Sequence, residues 1–157
     1  MKSMRGKAAS CQQGISLIEV LAAMLILAIG LLGLLAMQTR GVQLNQAAYF
    51  QSQAMFMAHD IIERMRANDG ALDSYAIELE DFGDADAGYC DDADSACSAA
   101  EMAASDLYQW KTTIGDLFPQ GDASVTLGTP SGNLQPVTVQ VQYLYGELAS
   151  YQLESML

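Results

Sequence analysis

Positive charge is scarce in this chain. Seven Lys and Arg stand against nineteen Asp and Glu in 157 residues, a formal net charge of −12. Three of those cations, Lys2, Arg5 and Lys7, fall at the very start, and only Arg40, Arg64, Arg66 and Lys111 follow. So acidic a surface argues against sequence-independent binding to DNA or RNA, whose phosphates call for Lys and Arg. Histidine occurs once, as His59, and no Ser/His/Asp or Cys/His arrangement accompanies it. His59 therefore reads as a solvated or hydrogen-bonded surface residue and not as a catalytic base. Cysteine is limited to Cys11, Cys90 and Cys97, too few ligands for zinc beside one distant histidine. No proline interrupts residues 15–68, which leaves one unbroken helix available there.

What is present is concentrated at the start. A basic leader ends at Gly14, and Ile15-Ser16-Leu17-Ile18-Glu19 opens an apolar run that reaches Met37 and is broken only by that Ser and Glu. A carboxylate at the centre of a membrane helix costs roughly 2.5 to 3.5 kcal/mol, less near the interface, and such an acid is by default a functional position. Glu19 therefore requires a partner; the bland alternative is a plain signal anchor whose Glu19 snorkels to the interface. Ile15 to Met37 spans about 35 Å as a helix, enough for a bilayer core of about 30 Å. Cutting an ordinary secretory signal discards its apolar segment, whereas cutting after Gly14 leaves the apolar helix as the new N-terminus. This arrangement resembles a class III, prepilin-type signal, with Ile15 where Phe is commonest. The resemblance implies cleavage after Gly14 by a membrane-embedded prepilin peptidase, methylation of the new amino group of Ile15, and pairing of Glu19 with the N-terminal ammonium of a neighbouring subunit.

Beyond Arg40 the pattern turns amphipathic. Leu44, Ala48, Met55, Ala58, Ile62 and Met65 recur at helical spacing, with Gln51 at the gap. Met55-Phe56-Met57 reads as core packing in preference to a promiscuous binding surface. Asn68-Asp69-Gly70 marks the helix end, Arg64 and Arg66 are placed for the last-turn carbonyls, and Asp60 pairs with Arg64 at i, i+4. Gly30 and Gly33 are weak points that allow either local unwinding or close helix approach.

The remaining head of about 90 residues is small and needs reinforcement. Cys11 leaves with the leader, so Cys90 and Cys97 form an even pair, read as a local disulfide of an exported domain and worth about 2 to 3 kcal/mol. Glu78 to Asp94 is rich in acid with no cation and reads as a solvated loop. Calcium at alternating carboxylates such as Asp84 and Asp86 is the sharper reading, but the complete loop signature is absent. No metal ligand set and no cofactor is assigned. Ser98-Ala99-Ala100-Glu101 is a capping box opening a second helix with Ala103, Leu107, Trp110, Ile114 and Leu117 inward. Phe118-Pro119-Gln120-Gly121 ends it. Ser124 to Leu127 reads as a strand, Thr129 to Asn133 as a turn, and Val137 to Tyr145 as a half-buried strand ended by Gly146. Ser150 to Leu153 reads as a third. The tyrosines of the long strand belong to a core and not to a ligand platform.

Ile26 to Leu34, Gln38, Arg40, Gly41, Gln43 and Ala58 to Asn68 resemble the PilV-type minor pilins, the type IV pilus modification protein family. Asp106 to Trp110, Leu117 to Gly121 and the Val137 to Tyr145 strand follow that family's later pattern, with Tyr143 and Tyr145 where Trp is common. The resemblance implies an α+β, pilin-like fold: a long N-terminal α-helix packed against a small antiparallel β-sheet head, with a second short helix. Its organisation is a prepilin leader over 1–14, a long helix over 15–68 (15–37 membrane or filament core, 38–68 amphipathic) and a minor-pilin head over 69–157. It further implies a non-enzymatic subunit that primes pilus assembly at or near the tip, in the service of adhesion and twitching motility. Its partners are other minor pilins and the major pilin, the prepilin peptidase/N-methyltransferase, the inner-membrane assembly platform and a tip adhesin. Its place is the inner membrane, single-pass with a periplasmic head, and then the extracellular pilus; nucleic acid is not a partner. Two alternatives stand beside it, an I-type minor pseudopilin of a type II secretion system and a membrane-anchored periplasmic binding module.

Overall fold

A computed structural model describes residues 16–83, 90 and 97–157. The leader, Gly14 and Ile15 lie outside the described residues, as do Asp84, Asp86 and the other acids between Cys90 and Cys97. The order of elements is α1 (Leu17–Ala67), a 3₁₀ segment (Asp69–Tyr75), α2 (Ala99–Leu117), β1 (Asp122–Leu127), β2 (Pro136–Tyr145) and β3 (Glu147–Met156). The fold class is α+β, a long N-terminal helix with a small antiparallel sheet. The chain divides into a unit ending at Leu44 and a compact unit over Asn45–Leu157.

The first unit is helical throughout its described residues after Ser16, and every side chain in it is exposed. Leu17, Ile18, Ile26 and Met37 are examples at two-thirds exposure or more. Among the described residues, α1 is the one helix long and apolar enough to cross a membrane, with a mean hydropathy of 2.8 over its most apolar stretch.

The second unit carries the core. From residue 45 onward α1 buries Ala54, Ala58, Ile61, Ile62 and Met65, on the i, i+3, i+4 spacing expected of one helix face. The face is rotated from the expected one. Ala58, Ile62 and Met65 are inward as read, but Leu44 and Ala48 are exposed, Met55 is half-buried, and Ala54 and Ile61 replace them. Ala54 and Ala58 are both fully buried on this face. Phe56, grouped with its methionine neighbours as core, is 55% exposed, while Met57 packs on the core. Phe50 joins the interior through Tyr143, with ring centroids 5.8 Å apart, and Phe118 stacks on Tyr143 at 5.1 Å. Tyr143 is thus a core residue.

The sheet has the order β1-β2-β3, all antiparallel. Val137, Val139 and Val141 on the central strand are buried and alternate with half-buried Thr138, Gln140 and Gln142, the period-2 signature of a strand with one face inward. The strands run further than the sequence pattern suggests: β1 starts at Asp122, and β3 covers Glu147–Met156, not only Ser150 to Leu153. Hydrogen bonding to β2 carries β3 through positions whose composition is unremarkable. Gly146, at φ +73°, makes the β2–β3 turn in the left-handed region. Gly121 is required by crowding, since a Cβ there would strike the Ile114 carbonyl oxygen and Phe118.

α2 opens with the capping box Ser98–Glu101, in which the Glu101 N–H donates to Ser98 Oγ and the Ser98 N–H to Glu101 Oε2 at 2.7 Å. The bonds that the Ser98 N–H and hydroxyl donate to the Glu101 carboxyl hold it below its usual range. Its buried face includes Ala103, Leu107, Trp110 and Ile114, with Leu117 only partly covered, and adds Ser105 and Lys111. The Trp110 Nε1–H donates to the Met57 carbonyl at 2.8 Å, tying α2 to α1. α1 ends at Ala67 near the expected stop, but by a different device. Gly70 does not turn the chain left-handed; Asn68 leads into the 3₁₀ segment, and its Nδ2 donates to the Ala99 carbonyl at 2.7 Å and to Tyr75 Oη at 3.3 Å.

Candidate functional site

The segment singled out by its chemistry is the first turns of α1. Ser16 precedes the helix, and its carbonyl accepts from the N–H groups of Glu19 at 2.9 Å and Val20 at 3.3 Å. Glu19 lies in the first turn, where a carboxylate complements the partial positive charge of the helix N-terminus by about 0.3 to 1 kcal/mol. Glu19, Ala23 and Leu27 recur every fourth residue and, with Val20 and Met24, line a shallow groove on the helix surface. The groove is apolar apart from the carboxylate. Glu19 is exposed, and among the described residues its side chain has no ion-pair partner. Gly14 and Ile15, the expected processing positions, lie outside the described residues.

The head holds two polar clusters that position its elements. In the first, Arg64 reaches back to Asp60 (Nε to Oδ2, 3.0 Å) and across to Asp106 on α2 (Nη1 to Oδ1, 3.0 Å). The Tyr75 hydroxyl donates to the other Asp106 oxygen at 2.7 Å. Burial pushes the Tyr75 phenol up, and the bond to Asp106 adds to it, to about 12. For Arg64, burial acts downward but is outweighed by Asp106 and Asp60, so its pKa is raised. The Asp60–Arg64 pair forms as read, and Arg64 and Arg66 stand in the last turn of α1 as expected, with their hydrogen bonds going to side chains. Arg64 joins the two helices, and Arg66 takes Glu63 and Ser155 as partners. Carboxylates in reach give a stronger, charge-assisted bond than a carbonyl does.

The second cluster was not legible as a site. Lys111 is 2% exposed. Its Nζ lies 2.6 Å from Asp122 Oδ1 and donates to the carbonyls of Ala123 at 2.7 Å and Glu78 at 3.0 Å. Asp122 in turn accepts the N–H of Glu80 at 2.6 Å and of Ala123 at 2.7 Å. Phe82 sits over the ammonium, 5.6 Å from ring centroid to Nζ, within cation–π range. Burial works to raise the Asp122 carboxyl, but the bond from Lys111, the two backbone N–H groups and the Lys111 charge outweigh it and hold the carboxyl below its usual range. Sequence spacing carries one clue. Lys111 follows Leu107 by four and precedes Ile114 by three, so it occupies the inward stripe of α2. A lone cation on such a stripe requires a buried acid.

Cys90 and Cys97 are joined by a disulfide with Cα atoms 6.0 Å apart, an ordinary separation for a bridge. The Cys90 N–H donates to Ser105 Oγ at 3.5 Å, which fixes one end of the bridged loop to α2. Among the described residues no group of three or more His, Cys, Asp or Glu is placed to hold a metal ion. The acidic positions proposed for calcium lie largely outside them.

The geometry is thus an exposed apolar helix with one acid at its start, and a head cross-tied by ion pairs. Residues 9–35 match the prokaryotic N-terminal methylation motif, a range that contains Gly14, Ile15 and Glu19. Residues 36–108 match the family described as type IV pilin Tt1218, from the end of the apolar run to the middle of α2. No curated protein and no solved structure matches the chain. The two matches join end to end along the long helix, and with the small antiparallel sheet they make the chain similar to type IV pilins that carry a prepilin-type N-terminal methylation motif.

Proposed function

We propose that this chain is a minor pilin of the PilV type, a structural and non-enzymatic component that primes assembly of a type IV pilus and sits at or near its tip. One observation carries the reading. Glu19 stands in the first turn of α1, in its apolar and exposed N-terminal part and inside the methylation motif over residues 9–35, and its side chain has no ion-pair partner among the described residues. In this scheme the leader is cut after Gly14, Ile15 is methylated, and the ammonium of Ile15 on a neighbouring subunit supplies the charge that Glu19 lacks. The apolar helix then moves from bilayer to filament core. Both surroundings are apolar, so that transfer is nearly balanced and the specific pair sets the order of docking. The partners are other minor pilins, the major pilin, the prepilin peptidase/N-methyltransferase and the inner-membrane assembly platform, with a tip adhesin as cargo.

Deletion of the gene distinguishes this from a secretion pseudopilin. The expected result is loss of surface pili and of twitching, with export of folded enzymes across the outer membrane unchanged. Normal piliation with failed secretion would transfer the chain to the type II secretion system.

A further inference from the structure

β3 is the last strand of the sheet, and its outer edge has no strand partner among the described residues. It is ten residues long, pairs with β2 without a bulge from Pro136↔Met156 to Tyr145↔Glu147, and contains no Pro, Lys or Arg. Natural edge strands are ordinarily short, bulged, covered, or marked with proline or lysine. The opposite edge of this sheet is partly closed, since Ile77 and Val125 exchange two backbone bonds.

The ladder shows which groups the open edge presents. The Gly128 N–H donates to the Pro136 carbonyl at 2.9 Å, and Gln135 and Leu157 exchange bonds of 2.7 and 3.0 Å. Even-numbered residues of β2 therefore bond to β1 and odd-numbered ones to β3, by the alternation of antiparallel ladders. On β3 the odd residues are engaged. The backbone N–H and C=O groups of Leu148, Ser150, Gln152, Glu154 and Met156 point outward.

The inner face is also unfinished on this side. Val139 and Val141 are fully buried, but their β3 partners Leu153 and Tyr151 are only half-buried. One added strand would cover them. Charge selects the occupant: the only ionised side chains on β3 are Glu147 and Glu154, on a chain of net charge −12. A second copy would bring the same carboxylates and the same net charge to the contact.

We propose that the open edge of β3 accepts a strand from a different, net-basic protein chain, extending the sheet and covering Tyr151 and Leu153. Backbone bonds supply the adhesion and the two glutamates supply the selectivity. This rests on the sheet alone and stands whether or not the chain acts as a minor pilin.

The test is residue-resolved amide exchange of the full chain in detergent micelles, with a capped peptide of about ten residues alternating valine and lysine, a length matched to a long strand. Exchange at Ser150, Gln152 and Glu154 should slow by about tenfold or more at saturation, with Tyr151 and Leu153 already slow in the free protein. Gln152→Pro deletes one outward donor and leaves the β2 ladder intact, so it should abolish the slowing without changing Trp110 emission. Glu147→Lys with Glu154→Lys leaves the backbone alone and should weaken the peptide at least tenfold. No slowing with the lysine peptide, or slowing that survives Gln152→Pro, overturns the proposal. Equal slowing with a valine–glutamate peptide overturns the basic partner. Slowing that grows with protein concentration alone makes a second copy the occupant and overturns it as well.

Discussion

Replacing Glu19 by alanine or glutamine should leave the protein processed and resident in the inner membrane but reduce its recovery in sheared pili by two to three orders of magnitude. The carboxylate is already withdrawn from water in the membrane-resident subunit, so its desolvation cost, up to roughly 2.5 to 3.5 kcal/mol, is carried before assembly begins. Pairing with an ammonium at about 4 Å and an effective dielectric near 20 contributes about 4 kcal/mol, which corresponds to the stated loss. Immunoblots of membrane and pilus fractions read both halves of the expectation. Glu19→Asp keeps the charge on a shorter arm and should retain an intermediate level. The groove beside the carboxylate, lined by Ala23 and Leu27, offers an internal comparison: Ala23→Val changes its shape without touching charge and should cost far less. Normal incorporation of Glu19→Gln would show that the acid is not an assembly contact.

The second large effect lies in the head. Lys111→Met or Asp122→Leu removes one member of a buried ion pair and strands the other, which typically destabilises by about 3 to 5 kcal/mol. In a head of this size that lowers the melting temperature by on the order of 10 to 30 °C. Trp110, the single tryptophan, is buried next to Lys111 and reports the transition. The double substitution replaces the pair by apolar side chains and should recover most of the loss, although the N–H groups of Glu80 and Ala123 then lack their acceptor. The Asp122 pKa is lowered from its ordinary 3.8. The folded state therefore binds this proton more weakly than the unfolded state does, and the stabilisation is fully present above about pH 4. It is lost as pH falls through the lower, folded value. Below pH 4 the wild-type head should lose stability more steeply than the double variant, and parallel pH profiles would contradict this.

The long helix, the capping box at Ser98 and the alternation of β2 were all readable because each is a local pattern: an apolar run, a four-residue motif, a period of two. The rotation of the buried face of α1 to take in Ala54 and Ile61 was not, because its side chains alone do not say which of two adjacent stripes the rest of the head will cover. Arg64 illustrates the same limit. Its pair with Asp60 follows from spacing, but Asp106 lies 42 residues away and enters only once α2 is folded against α1. Lys111 is the clearest loss. Its neighbours Leu107, Trp110 and Ile114 place it on the inward stripe of α2, but its partner is brought up only by the start of β1. β3 extended beyond its readable centre because partnership with β2, not composition, sets its length.

On the proposed function, Glu19 waits in an apolar helix for a charge created by processing. Mass spectrometry of the mature protein recovered from pili or membranes tests it most directly. The expected species begins at Ile15, has lost residues 1–14, and carries one methyl group on the new N-terminal nitrogen. A chain that retains its leader, or one cut beyond the apolar run so that Glu19 is discarded, would contradict the claim.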